Sequence, residues 1–184
     1  MKELIILGGS NGSGKSTFAK EYLLMHNYTF LNADEIAVAH DNKEFKNLIA
    51  GREFLNRFEK IIKEGKNFVI ESTLSGKYLV NKLIELRKSG YHIKIMFVFL
   101  DSVEISISRV KNRVIKGGHN IPEEIIRRRY KRSIQNFWNL YKDVAHDWAV
   151  FDNSGDEFIR VVYGEFENYK LERRDLFINF MKLI

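Results

Sequence analysis

The chain contains no cysteine and a single proline, Pro122. Without cysteine it has no disulfide framework and no thiolate chemistry, which fits a reducing compartment, and we read the protein as cytoplasmic. No apolar run approaches the roughly 20 residues of a membrane-spanning helix, so no membrane role is expected. From Met1 the chain passes directly into an apolar strand pattern, which leaves no stretch for a signal peptide. It also lacks low-complexity tracts and internal repeats. Acidic residues are outnumbered, 24 against 30 Lys and Arg, for a net charge of +6. Such an excess suits either nucleic acid or an enzyme that holds anionic substrates. At 184 residues and 45% hydrophobic composition, the expectation is one globular domain over residues 1–184.

The informative stretch is Gly9-Ser10-Asn11-Gly12-Ser13-Gly14-Lys15-Ser16-Thr17, which matches the phosphate-binding pattern G-x-x-x-x-G-K-[ST]. The apolar run Leu4-Ile5-Ile6-Leu7 before it reads as a buried strand, and Ser16 to Met25 after it as a helix. In that context backbone N–H groups at a helix N-terminus receive phosphate, and glycines let the chain wrap closely. Lys15 is expected to reach the β- and γ-phosphates of ATP, and the Ser16 hydroxyl to ligate Mg²⁺.

A second strand, Tyr28 to Asn32, ends at Asn32-Ala33-Asp34. Ligands of open α/β sheets bind at that edge, so Asp34 is read as the base for an acceptor hydroxyl, the alternative being a helix cap. Residues 43 to 64 form an amphipathic helix whose stripe Phe45, Leu48, Leu55, Phe58 and Ile62 is expected to be core. Gly51 interrupts it, through either a close approach or simple tolerance. The third strand, Asn67 to Glu71, leads into Ser72-Thr73-Leu74-Ser75-Gly76. Glu71 is read as serving substrate or a metal-bound water, the alternative being a capping turn with Glu71 paired to an arginine. A helix over 77–89 and a strand over 93–101 follow, with Lys94 near the strand's exposed end and Asp101 or Ser102 capping the next helix. Of Glu71 and Asp101, both of which follow apolar strands, Glu71 is the choice for the metal-side carboxylate.

Val103, Ile107, Val110 and Val114 make a core stripe, with Arg109 and Arg113 on an adjoining face. Gly117-Gly118-His119 reads as a flexible joint, and Pro122 as the first position of a basic helix. The stripe Ile126, Tyr130, Ile134, Phe137, Tyr141 and Val144 should be buried there, which places Arg129 at its border and Arg128 nearly opposite. Residues 109–130 thus look like a lid delivering arginines to a transferred phosphate, Arg113 and Arg129 first. The bland alternative is a solvated basic face. His119 either contacts substrate or stabilises the turn. A fifth strand, Trp148 to Asp152, ends at Asn153, which either contacts the adenine or shapes the turn. The tail, 157–184, reads as a hairpin (Ile159 to Tyr163, Tyr169 to Glu172) and a helix over 174–183.

The glycine loop, Asn32-Ala33-Asp34, Ile70-Glu71-Ser72-Thr73-Leu74-Ser75-Gly76, Arg109-Val110-Lys111-Asn112-Arg113 with Gly117-Gly118-His119, and Asp152-Asn153-Ser154 together resemble the zeta-toxin-like branch of P-loop kinases, over residues 2 to 156. The resemblance implies an α/β fold of three layers around a central five-stranded parallel sheet, with a kinase-like lid. It implies ATP and Mg²⁺, and a sugar hydroxyl of UDP-N-acetylglucosamine or another small hydroxylated metabolite as acceptor. It carries over Asp34 as general base, Lys15 as the loop lysine, Glu71 and Thr73 as substrate contacts beside Asn32, and Arg113 as a lid arginine. The second lid arginine falls among Arg127, Arg128 and Arg129. Where the toxins place an arginine two positions after the threonine, this chain has Ser75. An antitoxin protein enters as a partner on the same resemblance. Two other readings stand beside the kinase: a nucleic-acid 5′-end kinase tracking along Arg127 to Arg132, disfavoured because no aromatic platform for bases is interleaved there, and a nucleotide-gated binding module.

Overall fold

Leu4, Ile5, Ile6 and Leu7 are all fully buried, so both faces of their strand are covered and no polar alternation is needed. The computed structural model describes residues 2–32, 36, 46–166 and 168–184, and the side chains of all of these but 46–48 and 50. In it that run lies within β1 (Lys2–Gly9), third in a seven-stranded sheet of order β2-β3-β1-β4-β5-β6-β7. β2 (Thr29–Asn32), β3 (Phe68–Ser72), β4 (Tyr91–Phe99) and β5 (Asp147–Asp152) form the parallel part with β1. Their C-terminal ends therefore share one edge, where Asn32 stands opposite Glu71 and Phe99 opposite Asp152.

The expected five-stranded sheet is extended. β6 (Ile159–Glu165) pairs antiparallel with β5 from Asp152 opposite Ile159 to Asp147 opposite Glu165, and β7 (Asn168–Leu171) pairs with β6. The hairpin read as an appendage thus continues the sheet. It covers what would be the bare edge of β5, and Trp148, Val161 and Val162 are buried along the junction.

Helices cover both faces. α1 (Lys15–Met25) packs through Ala19 on Ile5, Leu7 and Val69. The opposite face, including Leu4, Ile6, Phe68, Ile70, Ile95 and Phe97, carries the main core. Against it lie α2 (Lys46–Lys63), α3 (Tyr78–Lys88), the long helix α5 and α6 (Arg174–Lys182). α5 begins as Glu123–Asn136 and continues through a π-helical turn, Phe137–Tyr141, into a last α turn, Lys142–Val144. α4 (Val103–Ile115) and the start of α5 share a smaller cluster of Ile107, Val110, Ile121 and Ile126. No described helix is long and apolar enough to cross a membrane.

The six-residue stripe expected on α5 is buried throughout. That of α2 is shifted: Phe54, Phe58 and Ile61 are buried, Leu55 is 42% exposed, and Ile62 is only partly covered. Phe45 and the Leu48 side chain lie outside the described residues. Both phases satisfy helical spacing, and Phe58 stacking against Phe54 and meeting Phe68 edge-on selects the observed one. Among the described residues nothing lies within 4 Å of where a Gly51 Cβ would stand. Ser102 caps α4 and accepts from the Ile105 N–H. Pro122 is the N-cap of α5 rather than its first turn.

The glycine joint after α4 is not loose. The Gly118 N–H donates to the Arg113 carbonyl and the Gly117 N–H to that of Val114, both at 2.9 Å, with Gly117 at φ +85°. This is the paired closure of a Schellman motif, and only glycine adopts that φ without strain.

Candidate active site

The shared strand edge opens into a cleft of about 830 Å³. One end is the glycine loop between β1 and α1. Gly9, Gly12 and Gly14 all take positive φ, and Gly14 is the residue that starts α1. The loop is braced from outside: Ser106 of α4 donates to the Asn11 carbonyl, and Asn153 donates through Nδ2 to the Ser13 carbonyl at 2.9 Å. A side chain on Gly14 would run into Asn153 and Phe158, so the loop and the β5 turn interlock. Asn153 also lines the cleft, and its amide nitrogen braces the glycine loop.

Lys15 is buried, with Nζ 2.8 Å from the Ser10 carbonyl and 3.9 Å from Glu71 Oε1. Glu71 stands at the centre of the edge. It accepts from Ser16 Oγ (2.8 and 3.1 Å to its two oxygens) and from Asn32 Nδ2 at 3.0 Å. Among the described residues its partners are thus the loop lysine, the loop serine and Asn32 rather than an arginine. Asp101 lies apart from the cleft, where partial desolvation, and then the Asp152 charge, push its carboxyl above the ordinary value. Asp34 lies outside the described residues.

Of the lid arginines, Arg109, Arg113 and Arg129 line the cleft. Arg127 turns away into ion pairs with Glu123 (2.8 Å) and Glu104 (3.0 Å), and Arg128 is exposed. Arg109 donates to the Gly155 carbonyl at 3.0 Å. Arg113 donates through one terminal nitrogen to the His119 carbonyl at 2.9 Å, while its Nε is buried with no hydrogen-bond partner among the described residues. His119 contributes that carbonyl and leaves its ring outside the cleft lining, exposed. Ser10 Oγ, Asn11 Oδ1 and Ser13 Oγ are also buried without partners in the described structure. Of these residues Asn11 and Arg113 line the cleft, whereas Ser10 and Ser13 lie behind the loop.

The other wall is the loop after β3. Thr73 Oγ1 and Ser75 Oγ lie 2.9 Å apart and share a hydrogen, and Ser72 Oγ accepts from the Leu74 N–H. Sequence reasoning did not single out Phe54, Tyr78, Gly155, Asp156 or Phe158, all of which line the cleft. Tyr78 is 62% exposed, yet the surrounding walls desolvate its phenol and raise its pKa. Its place in the first turn after the hydroxyl-rich loop was the available signal.

A parallel sheet of order 2-3-1-4-5, a glycine loop after β1 and an arginine-bearing lid define the P-loop kinase fold class. The family model for zeta toxin matches residues 1–161, and the chain belongs to that family. An "Uncharacterized protein" of Haemophilus influenzae is 33% identical over 124 residues, covering 66% of this chain and 88% of its relative. Among solved structures, AvrRxo1-ORF1:-ORF2 with ATP superposes with a TM-score of 0.75 at 17% identity, over 98% of this chain and 63% of the matched one. The chain therefore spans under two thirds of that protein's length. The PezAT chromosomal toxin-antitoxin system of Streptococcus pneumoniae gives a TM-score of 0.69 at 16% identity, over 100% of this chain and 78% of the other.

Proposed function

We propose that the protein is an ATP-dependent phosphotransferase acting on a hydroxyl group of a small molecule. The observation that carries this reading is one cleft joining a glycine loop, where Lys15, Ser16 and Glu71 meet, to a facing wall of hydroxyls. The helix N-terminus behind the loop suits a triphosphate, and Lys15, Arg109 and Arg113 supply cations beside it. Ser16 Oγ and the Glu71 carboxylate are oxygen donors of the kind Mg²⁺ takes, and they already stand 2.8 Å apart. When bound, the metal would neutralise charge on the β- and γ-phosphates.

The chain's own residues then divide the work. Lys15, anchored by the Ser10 carbonyl, is placed to hold the phosphate tail along the loop. Asp34, on the resemblance, takes the proton of the acceptor hydroxyl as its oxygen bonds the γ-phosphorus. The bond to the β-phosphate oxygen breaks, and ADP leaves. Arg113, through its unpartnered Nε, and Arg129 stabilise charge on the transferred group. Thr73, Asn32 and Glu71 are assigned to the acceptor side. An antitoxin partner belongs to the same reading, since the PezAT structure is that of a toxin-antitoxin system.

The test is ADP release from Mg·ATP with and without UDP-N-acetylglucosamine and a panel of hydroxylated metabolites. We expect at least one acceptor to stimulate release, and Asp34→Ala to reduce the stimulated rate by roughly 10²-fold or more while ATP still binds. Acceptor-independent rates equal in both proteins would count against the reading.

A further inference from the structure

Ser106 is fully buried in α4, where it borders the apolar stripe of Val103, Ile107 and Val110. A serine inside a helix ordinarily bonds a carbonyl one turn back in its own helix. This one donates instead to the Asn11 carbonyl, 95 positions away in the glycine loop. The approach there is close: a Cβ on Gly12 would stand 2.8 Å from the Ser106 carbonyl and 3.3 Å from the Arg109 Cβ. Gly12 also takes φ +75°, so its own backbone and the neighbouring helix both call for glycine. The lid helix and the loop therefore meet backbone to backbone, and the serine hydroxyl bonds one to the other.

That bond sets the direction of two kinds of donor. A peptide unit is planar and trans, so its carbonyl and the following N–H point opposite ways. With the Asn11 carbonyl held toward α4, the Gly12 N–H points away from α4, and Gly12 lines the cleft. On the helix, Arg109 and Arg113 follow Ser106 at i+3 and i+7, so the three share one face. Both arginines line the cleft. By the rise of 1.5 Å per residue, Arg113 stands about 10 Å along α4 from Ser106, and a tilt of only ~6° at the serine would move it by about 1 Å. A misplacement of that size can cost about 10²-fold in a reaction that depends on positioning.

Building on the kinase reading, we infer that Ser106 is a positioning residue for phosphoryl transfer: its hydroxyl joins the lid helix to the glycine loop, so that the Gly12 N–H and the guanidiniums of Arg109 and Arg113 meet the triphosphate in one fixed frame. Ser106 itself stands outside the cleft lining and acts through the groups it aligns.

The experiment measures ADP release at saturating Mg·ATP with the stimulating acceptor, calorimetric binding of a non-hydrolysable ATP analogue, and thermal melting. Ser106→Ala removes the bond and should lower kcat at least tenfold, with the acceptor KM within about twofold of wild type. Ser106→Cys fills the same space with a poor donor and should resemble Ser106→Ala; it also carries the test if the alanine variant does not fold. In an Arg113→Ala background one of the groups that Ser106 aligns is already gone, so there Ser106→Ala should lower kcat by about threefold or less. A serine that merely held the fold together would cost the same factor in both backgrounds. Three results overturn the inference and leave the kinase standing: Ser106→Cys at the wild-type rate, an equal factor in both backgrounds, or a variant that melts lower yet turns over normally. A wild-type protein that binds the analogue but releases no ADP with any acceptor overturns the kinase reading and this inference with it.

Discussion

Asn153 shows how one side chain can brace a loop that is remote from it in the chain. Its residue is buried, and its Nδ2 reaches the Ser13 carbonyl 140 positions away in the chain. That carbonyl faces a protein interior, so removing the donor leaves it unsatisfied, a cost of about 1–3 kcal/mol. Asn153→Asp is worse than Asn153→Ala, because it sets a carboxylate oxygen against the carbonyl oxygen. At about 2–4 °C per kcal/mol for a chain of this size, calorimetry should find Asn153→Ala melting several degrees low, Asn153→Asp lower still, and both binding ATP more weakly. An unchanged melt with weakened ATP binding would return Asn153 to the role of a base contact. Residues whose job is local were legible in the sequence. Lys15 and Ser16 were fixed by spacing within the glycine loop, and Glu71 by an apolar strand that ends on a carboxylate. The partner of Asn153 was not legible, because nothing local in the sequence points to a bond between the turn after β5 and the loop after β1.

At the scale of the element, α5 does more than carry Arg129. Three of its side chains take carbonyls of the loop after β3: Ser133 that of Thr73, Asn136 that of Leu74 at 2.9 Å, and Tyr141 that of Gly76 at 2.6 Å. The π-helical turn begins directly after Asn136 and ends at Tyr141, so it spaces the second and third contacts. The loop needs holding, because Leu74 sits at φ +54° with its side chain buried against Gly8. Removing Asn136 and the Tyr141 hydroxyl together should release it. In Asn136→Ala/Tyr141→Phe we expect amide exchange over residues 73–77 to quicken by roughly tenfold, the equivalent of one or two lost hydrogen bonds. Exchange in the glycine loop should stay near wild type. Equal acceleration in both loops would mean that α5 supports the whole edge rather than the loop after β3 alone. The apolar stripe of α5 was readable from its period, but the polar residues between gave no periodic signal. The Gly117-Gly118 pair misled for a related reason: two glycines read as freedom, whereas their N–H groups close α4 and press Gly118 against the Arg113 side chain. The lid arginine is thus presented by a fixed turn.

Over the whole molecule, the C-terminal extension belongs to the core rather than beside it. The hairpin lengthens the sheet, and Trp148 of β5 donates through Nε1 to the Phe166 carbonyl at 2.9 Å. α6 then places Phe180, fully buried, 5.0 Å from the Phe99 ring of β4 and 5.7 Å from Trp138 of α5. Phe97 stacks on Phe137 at 4.3 Å in the same cluster. The cluster therefore ties the last helix to the strand next to β1 and to the helix that bears Arg129. From the sequence the hairpin and helix were visible as elements, but their docking was not. Alternation along β6 says that one face is buried without saying under what. Replacing Phe180 with alanine removes a ring from a closed cluster, a change that costs about 3–5 kcal/mol in other cores. We expect Phe180→Ala to melt roughly 10 °C below wild type. Tryptophan fluorescence, which reports Trp138 and Trp148, and far-ultraviolet circular dichroism, which reports the whole sheet, should move together in urea as one transition. If the fluorescence change came first and the dichroism held, the extension would be a separate unit leaning on a self-sufficient five-stranded kinase core. Coincident curves would mean that the nucleotide edge, the lid helix and the tail fold as one body, and that a substitution at the tail reaches the cleft through Phe99 and α5.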